Sequence, residues 1–91
     1  MLALDKGNAV ALNNIGNICF LQERLEDAKQ AYESSLKVAP DDAGTMVNLS
    51  RVLLRMNKKE EAKKLFQHAA SSDPRVLRQN NDLAADLGVV K

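Results

Sequence analysis

The stretch LEDAKQAY, Leu25 to Tyr32, returns 34 residues later as KEEAKKLF, Lys59 to Phe66. A fixed period of this length marks a repeat architecture, and the offset extends in both directions from this block. It holds without a gap. Towards the N-terminus Ala9 falls on Ala43, Leu12 on Met46, Asn14 on Asn48 and Ile15 on Leu49. Within and beyond the quoted block Ala28 falls on Ala62, Tyr32 on Phe66 and Pro40 on Pro74. Chance alignments lose register over such a distance; this one keeps residue type across a whole unit.

Inside each unit the apolar residues recur with helical spacing. Leu12, Ile15, Gly16, Cys19 and Phe20 follow the i, i+3, i+4, i+7, i+8 template of an amphipathic helix, and Met46, Leu49, Ser50, Leu53 and Leu54 repeat it. A second helix follows, with Leu25, Ala28, Ala31, Tyr32 and Leu36 on one side in the first unit. Ala62, Leu65, Phe66, Ala69 and Ala70 take that side in the second. The spacing predicts helices near Ala9–Gln22, Leu25–Val38, Ala43–Met56 and Lys59–Ser71. Asn57, which tolerates left-handed backbone, suits the turn inside the second unit. Pro40 and Pro74 stand where helices should stop. Asp73 before Pro74 reads as an N-cap followed by a proline at the first helical position. A fifth helix is expected from about Arg75 to Leu87, with Leu83, Ala84 and Leu87 inward and Gly88 as its stop.

This pattern resembles the tetratricopeptide repeat, whose 34-residue helix–turn–helix units carry W-x2-L-G-x2-Y, then A-x3-F, then P. The first unit reads Leu12-x2-Ile15-Gly16-x2-Cys19, Ala28-x3-Tyr32 and Pro40. The second reads Met46-x2-Leu49-Ser50-x2-Leu53, Ala62-x3-Phe66 and Pro74. Leu12 and Met46 replace the tryptophan, Cys19 and Leu53 the tyrosine, and Glu23 sits where a turn glycine is usual. The resemblance implies an all-α fold, a right-handed superhelix of antiparallel helix pairs with about five helices here. Residues 9–42 and 43–76 form the two units, 1–8 read as the remnant of a preceding unit and its linker, and 77–91 as the capping helix and tail.

Composition narrows the function. The chain has 91 residues, 45% of them hydrophobic and 27% charged, which suits one small globular domain and not a disordered one. Its 13 Lys and Arg against 12 Asp and Glu give a net charge of +1, so nothing in the bulk charge points to nucleic acid. No apolar run approaches the ~20 residues of a membrane span. The single Cys19 excludes an internal disulfide and, with the single His68, cannot make a tetrahedral metal site. One cysteine and no signal-peptide pattern tilt the expectation towards an intracellular setting. Ser34 and Ser35 have no neighbouring base, so no nucleophile is assembled. The reading is non-enzymatic, with no cofactor and no metal.

The ends suggest a piece of something longer. Leu2 and Leu4 match Leu36 and Val38 by offset, as the tail of a preceding helix would. About three repeats are needed before such an array is stable, because one unit cannot bury its own apolar face. The chain is therefore expected to self-associate through its open ends, with Leu2 and Leu4 among the contacts.

Arrays of the family curl so that the first helix of each unit lines a concave groove, which the resemblance transfers to this chain. With the core stripe on one side, the groove face holds Val10, Asn14, Asn17 and Leu21, then Gly44, Asn48, Arg51 and Arg55, then Arg78, Asp82 and Ala85. Asn14 and Asn48 recur one unit apart. An asparagine offers one acceptor and two donors, so each could pair with both backbone groups of one extended residue. That is similar to the asparagine ladder of the O-GlcNAc transferase arrays; the plainer alternative is asparagine as a tolerated surface residue. Arg51, Arg55 and Arg78 would favour an acidic partner, since arginine grips carboxylates bidentately. The carboxylate-clamp repeats of heat-shock co-chaperones are the other comparison. Asn17, Asn48 and Arg78 match their pattern, whereas Asn13 stands where it has a lysine and Asp82 where it has a basic residue.

The remaining features read as structure. Glu60 and Glu61 interrupt the run Lys58, Lys59, Lys63 and Lys64, and Glu60 to Lys64 is a helical i, i+4 pair, so this is a solvated face. Cys19 lies on the core stripe as a small apolar residue, and His68 beside the core stripe as a surface one. Residues 1–42 carry a net charge of −3 (4 basic, 7 acidic) and residues 43–91 carry +4 (9 basic, 5 acidic), a split able to orient neighbouring units. The expected partner is another protein or peptide, an acidic one favoured. The rival reading is a structural or assembly segment of a larger protein, and a third is the substrate-docking arm of an enzyme.

Overall fold

A computed structural model describes residues 6–89, with side chains from Asn8 onward. Every regular element in that span is helical: α1 (Lys6–Leu21), α2 (Leu25–Val38), α3 (Ala43–Arg55), α4 (Lys59–Ser72), α5 (Arg75–Gln79) and α6 (Asn81–Leu87). α1 packs on α2 and α3 on α4, while α2 also packs on α3 and joins the two hairpins. Four helices fall within a few residues of the sequence-based expectation. Lys6–Asn8, assigned to a linker, are instead helical and continuous with α1. The expectation for Leu2 and Leu4 lies outside the described residues.

The two hairpins turn in the same way. Glu23 has φ 62° and Asn57, one period later, has φ 63°. In each, the N–H three residues past the helix returns to a carbonyl inside it, Arg24 to Cys19 at 2.9 Å and Lys58 to Leu53 at 2.9 Å. This is the geometry of a Schellman helix end, which a left-handed residue makes possible. Asparagine accepts that conformation readily; glutamate does so only against steric cost. The Asp42 carboxylate caps α3, accepting from the Thr45 N–H at 3.4 Å and the Thr45 hydroxyl at 3.0 Å. Asp73 does the same for α5, accepting from the Arg75 N–H at 3.1 Å, with Pro74 already in helical backbone. The Arg75 guanidinium, hydrogen-bonded to the same carboxylate, holds the Asp73 carboxyl below the usual carboxylate range.

The core lies between the hairpins and under the last two helices. Tyr32, Phe66, Val52 and Leu87 are its largest fully buried apolar side chains, with Met46, Leu49 and Leu53 around them. Gly16 is where α1 meets the Tyr32 ring: a Cβ there would lie 2.5 Å from Tyr32 Cε1. Cys19 is buried among these residues as an apolar filler, and His68 is exposed.

Two expectations need correction. The apolar spacing puts Ile15 on the core stripe of the first helix, yet it is 49% exposed, while its counterpart Leu49 is 5% exposed. Leu49 belongs to the core cluster, with α3 packed on α1, α2, α4 and α5, whereas among the described residues α1 packs on α2 and α3. The single helix expected over Arg75–Leu87 is broken at Asn80, whose backbone leaves the helical region (φ −130°, ψ 43°). The Asn80 amide donates to the Val76 carbonyl at 3.2 Å, the kind of local side-chain bond that competes with a continuous helical ladder. Val76, Leu83, Ala84 and Leu87 still face the core, and Gly88 (φ 76°) ends α6 as expected.

Candidate peptide-binding groove

The candidate groove residues lie on α1, α3 and the α5–α6 pair. Asn13 and Asn17 are one turn apart on α1, so their side chains stack on one face, and Asn48 of α3 lies opposite both. The Asn48 amide donates to Asn13 Oδ1 at 3.1 Å and to Asn17 Oδ1 at 3.3 Å. Asn17 Oδ1 also accepts from the Tyr32 hydroxyl at 2.5 Å, and Asn13 Oδ1 lies 3.1 Å from the Thr45 hydroxyl, whose one proton it shares with the Asp42 carboxylate. Burial of Tyr32 pushes its phenol up to about 12, so it stays a donor across the neutral range. Both Asn48 amide hydrogens are thus committed to the first unit. Its Oδ1 and the NH2 groups of Asn13 and Asn17 take no partner among the described residues.

The sequence-predicted residues are sorted by this geometry. Asn13, Asn17 and Asn48 come together at the seam. Asn14 does not join them; it stands exposed beyond the seam, and the structure does not pair it with Asn48. Arg51 is half-buried and donates to Asn80 Oδ1 at 2.9 Å. Arg55 is tied to the Glu23 carboxylate and lies 5.5 Å above the Phe20 ring, so its charge is already partnered. Arg78 and Asp82 are both exposed, and no ion pair joins them among the described residues.

Two depressions flank Asn48. One, of about 260 Å³, is lined by Asn17, Phe20, Leu21, Tyr32, Asn48 and Arg51. It combines an apolar floor with an amide acceptor, amide donors and a guanidinium. The other, of about 300 Å³, is more polar and lies towards Asn13, Gly44 and Asn80. Each is below or at the lower end of the volume of small-molecule sites, which suits single side chains.

Sequence reasoning missed four participants: Tyr32, Thr45, Asn80 and Glu23. The first carries a usable signal. Tyr32 and Phe66 are period-matched and differ by one hydroxyl, so a polar partner was to be sought in the first unit only.

The profile of the tetratricopeptide repeat family matches residues 7–74, well over half of the chain. The chain belongs to the tetratricopeptide repeat family. Among similar proteins, the uncharacterized protein ycf37 of Cyanophora paradoxa is 36% identical over 73 residues, covering 79% of this chain and 42% of that protein. Human protein O-mannosyl-transferase TMTC3 is 29% identical over 76 residues, 84% of this chain and 8% of that protein. The mouse protein of the same name matches to the same extent. The chain thus spans less than half the length of these relatives. Tetratricopeptide repeats generally mediate contacts between proteins, and the all-helical hairpins described above are that fold.

Proposed function

We propose that this segment is a non-catalytic interaction module whose groove holds an extended peptide or partner helix, with acidic character favoured. What carries the reading is the amide cluster beside an apolar depression. Asn48 Oδ1 would accept a peptide N–H while the Asn17 NH2 donates to a neighbouring carbonyl. One backbone rung is thereby split between two asparagines, in place of the bidentate pairing expected from the sequence. Phe20 and Leu21 offer the apolar contact, and the remaining Arg51 N–H groups and Arg78 the attraction for a carboxylate. Each such hydrogen bond contributes only about 0.5–1.5 kcal/mol net, so micromolar affinity is the expectation.

Peptides selected from a random display library should be titrated against the parent and two double variants, Asn17→Ala/Asn48→Ala and Arg51→Ala/Arg78→Ala. Each variant should weaken binding about tenfold or more. Equal binding by all three would remove the groove reading. The second reading, an assembly segment, is favoured by one observation: Val10, Ile15, Ile18 and Leu21 of α1 are 49–82% exposed.

A further inference from the structure

We infer that the face of α1 left uncovered among the described residues is the contact between two copies of this chain, paired antiparallel about a two-fold axis at Ile15. The inference develops the assembly reading and stands apart from the groove.

The face is built like a seam. Asn8, Ala11, Ile15, Ile18 and Gln22 succeed one another at spacings of three and four residues, the alternation with which two helices pack along a shared stripe. All five are exposed. The molecule itself shows that such a face is made to be covered. One period later the same positions hold Thr45, Leu49 and Val52 in place of Ala11, Ile15 and Ile18, and these are 0–5% exposed. Ile15 and Ile18 are 49% and 56% exposed.

The occupant follows from self-complementarity. Turning a second α1 by two-fold rotation about Ile15 sets each Ile15 against its counterpart and each Ala11 against Ile18 of the second copy. Small thus meets large at both ends of the apolar stretch. Asn8 then faces Gln22 of the second copy, amide against amide, where donors and acceptors can be exchanged. A two-fold contact lays one copy of a face on another of the same net charge, so a face without charge meets no repulsion there. From Gly7 to Gln22 there is no charged residue, in a chain that is 27% charged. A head-to-tail contact is disfavoured by the other end of the stack, where Arg78, Gln79, Asn81, Asp82 and Asp86 are all exposed.

Sedimentation velocity of the full chain from ~5 to ~200 µM should show the mass rising from 10.0 kDa towards twice that value. Ile15→Asp/Ile18→Asp should keep the helical circular dichroism, since both sites are exposed, and stay at one chain. Separately, Ile15→Cys should form an interchain disulfide with oxidised glutathione far faster than Glu33→Cys, an exposed site on α2. A single-chain mass throughout the range would overturn the inference, as would a dimer that persists in the double Asp variant or equal crosslinking at both cysteines. A chain that stays monomeric, yet gains stability when residues 9–42 are duplicated ahead of Ala9, would assign the face to a stacked unit instead. None of these outcomes bears on peptide binding, which the groove variants test.

Discussion

At the residue scale the sharpest constraint is the contact of Gly16 with Tyr32. Its counterpart in the second unit is Ser50, fully buried, with its hydroxyl donating to the Met46 carbonyl at 2.9 Å. The same helix position thus tolerates a side chain in one unit and not in the other, because in the first unit the buried Tyr32 ring fills the space a Cβ would need. Gly16→Ala should therefore lower stability by about 1–3 kcal/mol in urea unfolding, the usual cost of overpacking. Ser50→Ala, which removes only a local bond, should cost less. Tyr32→Phe isolates the hydroxyl that reaches Asn17, and should cost roughly 0.5–1.5 kcal/mol at neutral pH. It should also change the alkaline limb. The folded phenol is raised to about 12 from an ordinary value near 10, so its contribution is complete below pH ~10 and lost as pH rises through ~12. The parent should lose stability across that window more steeply than Tyr32→Phe; equal slopes would show that the phenol is not the cause.

At the scale of elements, the two hairpin turns give a matched comparison. Glu23 and Asn57 hold nearly the same left-handed backbone, but glutamate bears more steric strain there. Glu23→Gly should raise stability by up to about 1 kcal/mol, less a few tenths for the lost exposed pair with Arg55. Asn57→Gly should be nearly neutral. A thermal unfolding series that ranks them the other way would contradict this account of the turns. The same comparison shows what the sequence made legible. Period, helix spacing, Pro40, Pro74, Asp73 and Gly88 are local signals, and the helices follow them closely. Asn80 was not legible as a break, because its effect depends on a side-chain bond to Val76 and on Arg51 arriving from α3. Likewise the asparagines were visible as a set, yet their assignment was not. Helical angles place Asn14 and Asn17 on neighbouring parts of α1, and only the approach of α3 decides that Asn13 and Asn17 meet Asn48.

For the whole molecule, the unequal covering of α1 and α3 governs both stability and association. In a stack each unit is supported by its own packing and by its neighbours, so the unit with one neighbour fewer should open first. α3 is enclosed by α1, α2, α4 and α5, whereas among the described residues α1 meets α2 and α3, and Ile15 and Ile18 on its outer side are half exposed. Native-state hydrogen exchange on a dilute sample should therefore show the α1 amides opening at lower free energy than those of α3 and α4. Raising the protein concentration adds the one neighbour that α1 lacks, since a second copy can associate only with chains in which α1 is formed. Exchange in α1 should slow with concentration in the parent and not in Ile15→Asp/Ile18→Asp, while α4 changes little at first. Protection of α1 equal to that of α3 at the lowest concentration would mean that the exposed face is not what limits the first unit.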